Sequence, residues 1–294
     1  MSAPYIHGAS IPGSMREETG GGVFNALRVA AQFATACALI SARGGDAAGV
    51  AVAAEAKRAG IDDQSSTFLD RNTASYTALL DSEGDVVAAL ADMSIYESAL
   101  PRLITRRKTR DMIETADAVL ADANMPEASI AKLAAQADGK PLFALAISPA
   151  KAVRLRAVLP RLDALFLNHR EARAILALEE SAPDSPEQLA MALWLKGLRR
   201  GVLTDGERPA CILEDGQLTF VQPPIPERIA DVTGAGDALC GAAIAALLHG
   251  RPLAEAVLDG LAAAAVTVET EKAVADFSGK HRFIALRATI RPEN

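Results

Sequence analysis

Apolar positions along the chain follow three rhythms. "FNALRVAAQFAT" (24–35) repeats at helical spacing, and "ACALISA" after it reads as a buried strand ending at Arg43. "GGDAAGVAVAAEAKRAG" predicts a turn and a helix stopped by Gly60. Over 66–92 the segments shorten and alternate: "STFLD", "SYTALLD" and "DVVAALAD", with "DSEGD" as a turn. That pattern predicts a small antiparallel sheet, a candidate lid over a site. From about residue 100 the rhythm becomes strand–helix, with strands at 118–122, 142–148, 164–167 and 201–204. Helices fall near 104–115, 126–137, 150–159, 169–178 and 185–199, and "ACILEDGQLTFVQ" predicts a hairpin turning at Asp215-Gly216. Two more helices follow at about 235–249 and 253–269. Repeated βα units imply an α/β fold with a mostly parallel sheet flanked by helices. Ligands on such sheets sit beyond the carboxyl ends of the strands. Asp122, Asn124, Ser148, Asn168 and Thr204 fall there.

Composition narrows the function classes. The 294 residues are 50% hydrophobic and only 4% aromatic, which suits helices on a buried sheet. A net charge of −7 argues against a general nucleic-acid binder, which depends on neutralising phosphates. The three cysteines, Cys37, Cys211 and Cys240, show no metal or disulfide spacing, so the expectation is a reducing cytoplasm. No apolar run reaches the ~18 residues of a membrane span. "MSAPYIHGASIPGSM" lacks the basic-then-apolar pattern of a secretory leader.

The candidate chemistry sits in "DVTGAGDALCGA" (231–242), where two acids fence a glycine turn before an Ala/Leu-rich helix. The amides of Gly234, Ala235 and Gly236 form a candidate anion pocket at a helix start. Asp237, on the first turn, is either a helix cap or a general base beside that pocket. Capping alone needs no glycine pair, whereas phosphoryl transfer needs both donors and a base.

These residues resemble the C-terminal signature of the ribokinase, or PfkB-type, carbohydrate kinases. "GGGVFNALRVAAQFA" is similar to that family's Gly-Gly-x-x-x-Asn helix start through Gly20, Gly21 and Asn25. "GGDAAG" (44–49) resembles its next turn, "NHRE" (168–171) its Asn-x-x-Glu motif, and "TDGERPA" (204–210) its nucleotide loop, with Pro209 where glycine is usual. "TASYTALLD", "ADMSIYE", "ADAN", "ISPAKAVRL" and "FLNHREA" resemble the pseudouridine-phosphorylating branch.

The resemblance implies a ribokinase-like, Rossmann-like three-layer fold, with a kinase core at 20–60 and 99–294 and a lid at 1–19 and 61–98. Asp237 would take the proton from the acceptor hydroxyl, while the amides of residues 234–237 stabilise the transferred phosphoryl. Gly20, Gly21 and Asn25 would hold the ribosyl substrate. Asn168 and Glu171 would organise Mg²⁺, Glu171 through water, and Thr204 and Gly206 would line ATP. Asp231 would serve a monovalent cation such as K⁺. The implied acceptor is a sugar or nucleoside, with pseudouridine favoured, and dimers would form through the lid. Alternatives are a kinase for another nucleoside or a free sugar such as ribose or fructose, or a catalytically impaired nucleoside binder.

The family opens with a core strand whose Asp grips two sugar hydroxyls. Here no Asp precedes Asp46: either "PYIHGA" (4–9) is a shortened version of that strand, or the strand is absent. Structural readings stand beside the functional ones elsewhere. Asp92 and Asp122 end strands and either bond loop amides or touch substrate. Lys151 either contacts substrate or occupies a first helical turn. "RRKTR" (106–110) is expected on a solvated helix face, Cys240 in the core, His169 at the surface and Trp194 in packing.

Overall fold

The structure, a computed structural model, describes residues 12–81, 86–179, 181–182 and 184–293. The chain enters through α1 (Gly22–Gln32), a broken strand, β1 (Ala38–Leu39) and β2 (Ala42–Gly44), and α2 (Ala47–Arg58). Then come β3 (Asp62–Asp63), β4 (Ser66–Phe68), the hairpin strands β5 (Ser75–Leu80) and β6 (Val86–Asp92), α3 (Ser94–Leu103) and α4 (Arg107–Thr115). The βα series holds β7 (Val119–Asp122), α5 (Glu127–Gln136), β8 (Leu142–Leu145) and α6 (Pro149–Ala152), which runs into a 3-10 helix over Val153–Arg161. It continues with β9 (Ala164–Asn168), α7 (His169–Leu176), α8 (Pro186–Leu195) and β10 (Arg200–Thr204). The chain closes with β11 (Ala210–Glu214), β12 (Gln217–Val221), α9 (Ala235–Leu248), α10 (Leu253–Val268), α11 (His281–Thr289) and β13 (Pro292–Glu293).

The main sheet runs β13-β12-β11-β10-β9-β8-β7. It is mixed: β7 to β10 are parallel, and β11 to β13 extend it antiparallel. Both faces of the parallel half are apolar, so strand alternation divides the side chains between two cores. Leu142, Ala144, Leu165 and Leu167 join residues of α5, α7 and α8. Phe143, Leu145 and Phe166 join α1, α9 and α10. Cys240 is fully buried in the second core, as expected. Trp194 packs on the hairpin turn at Gly216, also as expected. His169 differs: it is partly buried, and its Nε2 lies 2.9 Å from the Asp184 carbonyl.

The small β region also departs from expectation. β4 pairs parallel with β2, and β3 with β1, so only β5 and β6 form the antiparallel ribbon. The hairpin turn (82–85) and residues 4–9 lie outside the described residues. The far edge of β7 has no strand partner among the described residues. A cavity of about 770 Å³ lies between that edge and the β1–β2 strand, lined by residues 38–43 and 118–122.

Helices α1 and α9 approach very closely. A Cβ at Gly241 of α9 would collide with the Ala26 carbonyl of α1. Gly241→Ala is therefore expected to lower stability by about 1–3 kcal/mol, the usual range for an overpacked core. The measurement is a urea melt, with a lower midpoint at unchanged slope.

Candidate active site

Helix α9 starts at a turn that requires glycine. Gly234 is the N-cap at φ 82°, and a Cβ there would collide with the Ala273 carbonyl. The Ala235 amide donates to the Val232 carbonyl at 3.3 Å. The amides of Gly234, Gly236 and Asp237 thus lack acceptors among the described residues. The turn itself uses the Ala235 donor of the expected 234–237 amides and leaves the other three free among the described residues. Gly236 has a separate role. A Cβ there would meet nothing within 4 Å. It lines a cavity of about 260 Å³ together with Ile147, Asn168, Glu171, Thr204 and Asp237.

Asp237 sits on the first turn of α9, where the helix dipole favours a negative charge. Burial nevertheless pushes its carboxyl up to about 7; the Asn25 hydrogen bond opposes this, and the charges of Asp122 and Glu171 add to it. Asn25 Nδ2 donates to Asp237 Oδ2 at 2.8 Å, and Asn25 Oδ1 accepts from Arg28 at 3.3 Å. Asn25 therefore orients the candidate base. Its own placement follows from Gly21, the N-cap of α1, whose φ of 125° is glycine backbone.

A second carboxylate enters from the end of β7. Asp122 Oδ2 accepts from the Val23 amide at 3.3 Å and from Asn124 Nδ2 at 3.1 Å. Its Oδ1 accepts from the Asn124 amide at 2.9 Å. Lys151 Nζ donates to Asn124 Oδ1 at 2.6 Å, so Lys151 joins this polar group through Asn124. Burial raises the Asp122 carboxyl and lowers the Lys151 ammonium. Asp122 and Asp237 flank Gly22: a Cβ there would lie 3.4 Å from Asp122 Oδ2 and 3.5 Å from Asp237 Oδ1. Gly20, Gly21, Asp122, Asn124 and Tyr96 line the cavity of about 770 Å³. The larger cavity thus reaches Asp122, and the smaller one reaches Asp237.

On the smaller cavity, Asn168 and Glu171 form a reciprocal capping box on α7. Glu171 Oε2 accepts the Asn168 amide at 2.8 Å, and Asn168 Oδ1 accepts the Glu171 amide at 2.9 Å. Oε1 of Glu171 has no hydrogen bond among the described residues, and burial raises this carboxyl. One oxygen therefore remains for a ligand. Thr204 lines the same cavity, while Gly206 lies beyond it in an exposed turn at φ 62°.

Asp92, a candidate substrate contact, is exposed at the hairpin end. It accepts the Ser94 amide at 3.1 Å and lines neither cavity, because its carboxylate serves the start of α3. Asp231 accepts the Thr233 amide at 2.8 Å and Arg16 Nη2 at 3.1 Å. No group of three or more His, Cys, Asp or Glu among the described residues could hold a metal ion. Ile147, a β-branched residue at φ 71°, lies just after β8 and lines the smaller cavity; strain of this kind persists where packing over-determines it.

The model of the pfkB family carbohydrate kinases matches residues 7–278. The chain belongs to that family. It is 27% identical to the pseudouridine kinase of Escherichia coli over 249 residues, 84% of this chain and 79% of that one. A carbohydrate kinase from Agrobacterium tumefaciens superposes with a TM-score of 0.83 at 39% identity, covering 99% of this chain and 94% of the other. Arabidopsis thaliana ribokinase, complexed with ribose and ATP, superposes at 0.82 with 18% identity, covering 97% and 93%; at that identity the likeness shows the fold. The pfkB membership makes this chain a sugar or nucleoside kinase.

The two turn glycines are expected to fail differently. Gly234→Ala should destabilise the fold, since a left-handed residue and a backbone collision coincide there. Gly236→Ala should fold normally and lose about 10²-fold in kcat/KM by intruding where reactants align. Thermal melts with steady-state kinetics separate the two. Asp237 also gives a stability test. Its raised folded value means that its contribution is fully present below the unfolded carboxylate value and is lost as pH rises through about 7. Asp237→Asn should consequently raise Tm at a pH above 7, with the gain fading in acid.

Proposed function

We propose that this pfkB kinase transfers the γ-phosphoryl group of ATP to the 5′-hydroxyl of a ribosyl nucleoside, with pseudouridine the favoured acceptor. The observation that carries the reading is Asp237, oriented by Asn25 on the smaller cavity and directly after the glycine turn, with Asp122 of the larger cavity across Gly22. The larger cavity takes the acceptor. At about 770 Å³ it has room for a base as well as a ribose, which favours a nucleoside over a free sugar. Asp122 and Asn124 hold acceptor hydroxyls or base edges at its mouth, with Lys151 fixing Asn124. Asp122 supplies an acceptor-side aspartate in a chain where no Asp precedes Asp46. The smaller cavity takes the phosphates, against the free amides of the α9 turn.

Asp237, ionised near neutral pH, accepts the hydroxyl proton as attack proceeds. Mg²⁺, when bound, would supply charge that offsets the phosphates. The fit is through Glu171 Oε1 and water rather than a protein cage, consistent with the lack of a carboxylate cluster among the described residues. Thr73 and Ala74, which lead into the hairpin, line one end of the acceptor cavity, and the hairpin itself is solvent-exposed. It exposes Tyr76 (64%) and Leu90 (71%), an apolar ribbon suited to lid-to-lid pairing in a dimer. No helix among the described residues is long and apolar enough to cross a membrane, and a cytoplasmic location suits a nucleoside kinase.

The experiment is ADP release across pseudouridine, uridine, adenosine, ribose and fructose. Pseudouridine should give the highest kcat/KM. Ribose or fructose leading the panel would overturn the nucleoside assignment, and silence with retained ligand-induced thermal shifts would leave a binder. Asp237→Asn is expected to lower kcat by about 10²–10⁴. Asp122→Asn should instead act mainly on acceptor KM, since a lost hydrogen bond to a bound polar group weakens binding.

A further inference from the structure

Asp231 opens the phosphoryl turn, and an uncompensated carboxylate there would repel the phosphates that the turn must accept. Resemblance assigned this acid to an alkali cation, but its surroundings do not fit that ion. Asp231 Oδ1 is taken by the Thr233 amide at 2.8 Å and Oδ2 by Arg16 Nη2 at 3.1 Å. Arg16 also lies 3.4 Å from Glu18 and 3.8 Å from Glu271. Glu18 accepts the Ala273 amide at 3.3 Å, and the Ala273 carbonyl abuts Gly234, the N-cap of α9. One guanidinium therefore links residues 16–18, 231–233 and 271–273, the three segments that surround the turn.

We propose that Arg16 is the resident cation of this turn: its guanidinium neutralises Asp231 and positions the loop that seats Gly234, in place of a monovalent metal ion. The assignment deepens the kinase reading of the same site and rests on it. Arg suits the task because it stays charged at every working pH and its planar fork spans several carboxylates at once. The pairs are partly exposed, with Arg16 52% exposed, so salt screens them. The role is positional, since Arg16 acts on Asp231 and the loop rather than on the reacting atoms.

The test compares wild type with Arg16→Gln and Arg16→Lys in choline chloride and in potassium chloride, at equal ionic strength of about 0.1 M. Wild-type turnover should change less than about twofold between the salts, and Arg16→Gln should lose about tenfold or more in choline. Potassium or added guanidinium should restore part of that loss, and Arg16→Lys should retain more than Arg16→Gln. A second readout needs neither nucleotide nor acceptor: potassium should raise the Tm of Arg16→Gln above its value in choline and leave wild type unmoved. The melt therefore decides the proposal even if the acceptor assignment fails. Wild type strongly activated and thermally stabilised by potassium would overturn it. So would a folded Arg16→Gln with unchanged turnover in choline.

Discussion

The close approach of α1 to α9 is the contact on which the site depends. Gly241 lets the Ala26 backbone come against α9, and one turn earlier on the same pair Asn25 meets Asp237. A Cβ in that seam would push the helices apart and withdraw the amide from the carboxylate. Close helix packing by a glycine and base orientation by an amide are therefore one feature. The strand ends contribute the rest: β7 delivers Asp122, and β9 delivers Asn168, whose capping box holds Glu171. Each functional group sits at the end of a rigid element, as precise positioning requires.

Charge shapes the site as much as packing does. Asp122 and Glu171 lie close enough to act on Asp237 beside the glycine turn, and burial raises all three carboxyls. Such an arrangement costs stability, which is common where residues are tuned for chemistry. The opposing contributions are the helix start, the Asn25 and Asn124 amides, and Arg16 at Asp231. The two acids of "DVTGAGD" consequently differ in kind. Asp237 is desolvated and poised near neutrality, whereas Asp231 is paired at the surface.

Much of this was legible in the sequence. The βα rhythm gave the parallel half of the sheet, because continuous apolar strands between amphipathic helices leave few alternatives. The turn at residues 231–237 was legible because glycines and acids there have no simpler use. Long-range partners were not. Nothing local says that Asn25 meets Asp237, 212 positions away, or that Arg16 meets Asp231, 215 positions away. Asp92 and Asp122 look alike in sequence, since both end apolar strands. Tertiary placement separates them: Asp92 accepts the Ser94 amide in solvent at the start of α3, and Asp122 lines the larger cavity. β4 is indistinguishable in sequence from the antiparallel strands because short strands carry no record of their partner's direction.

The central claim is that Asp237 is the base and that its burial sets the working pH. The most direct measurement is the pH dependence of kcat/KM for acceptor phosphorylation between about pH 5 and pH 9. The account predicts activity that rises through a single limb centred near the raised Asp237 value of about 7. That limb should disappear in Asp237→Asn. A wild-type profile flat across this range, or the same limb surviving in the variant, would contradict it.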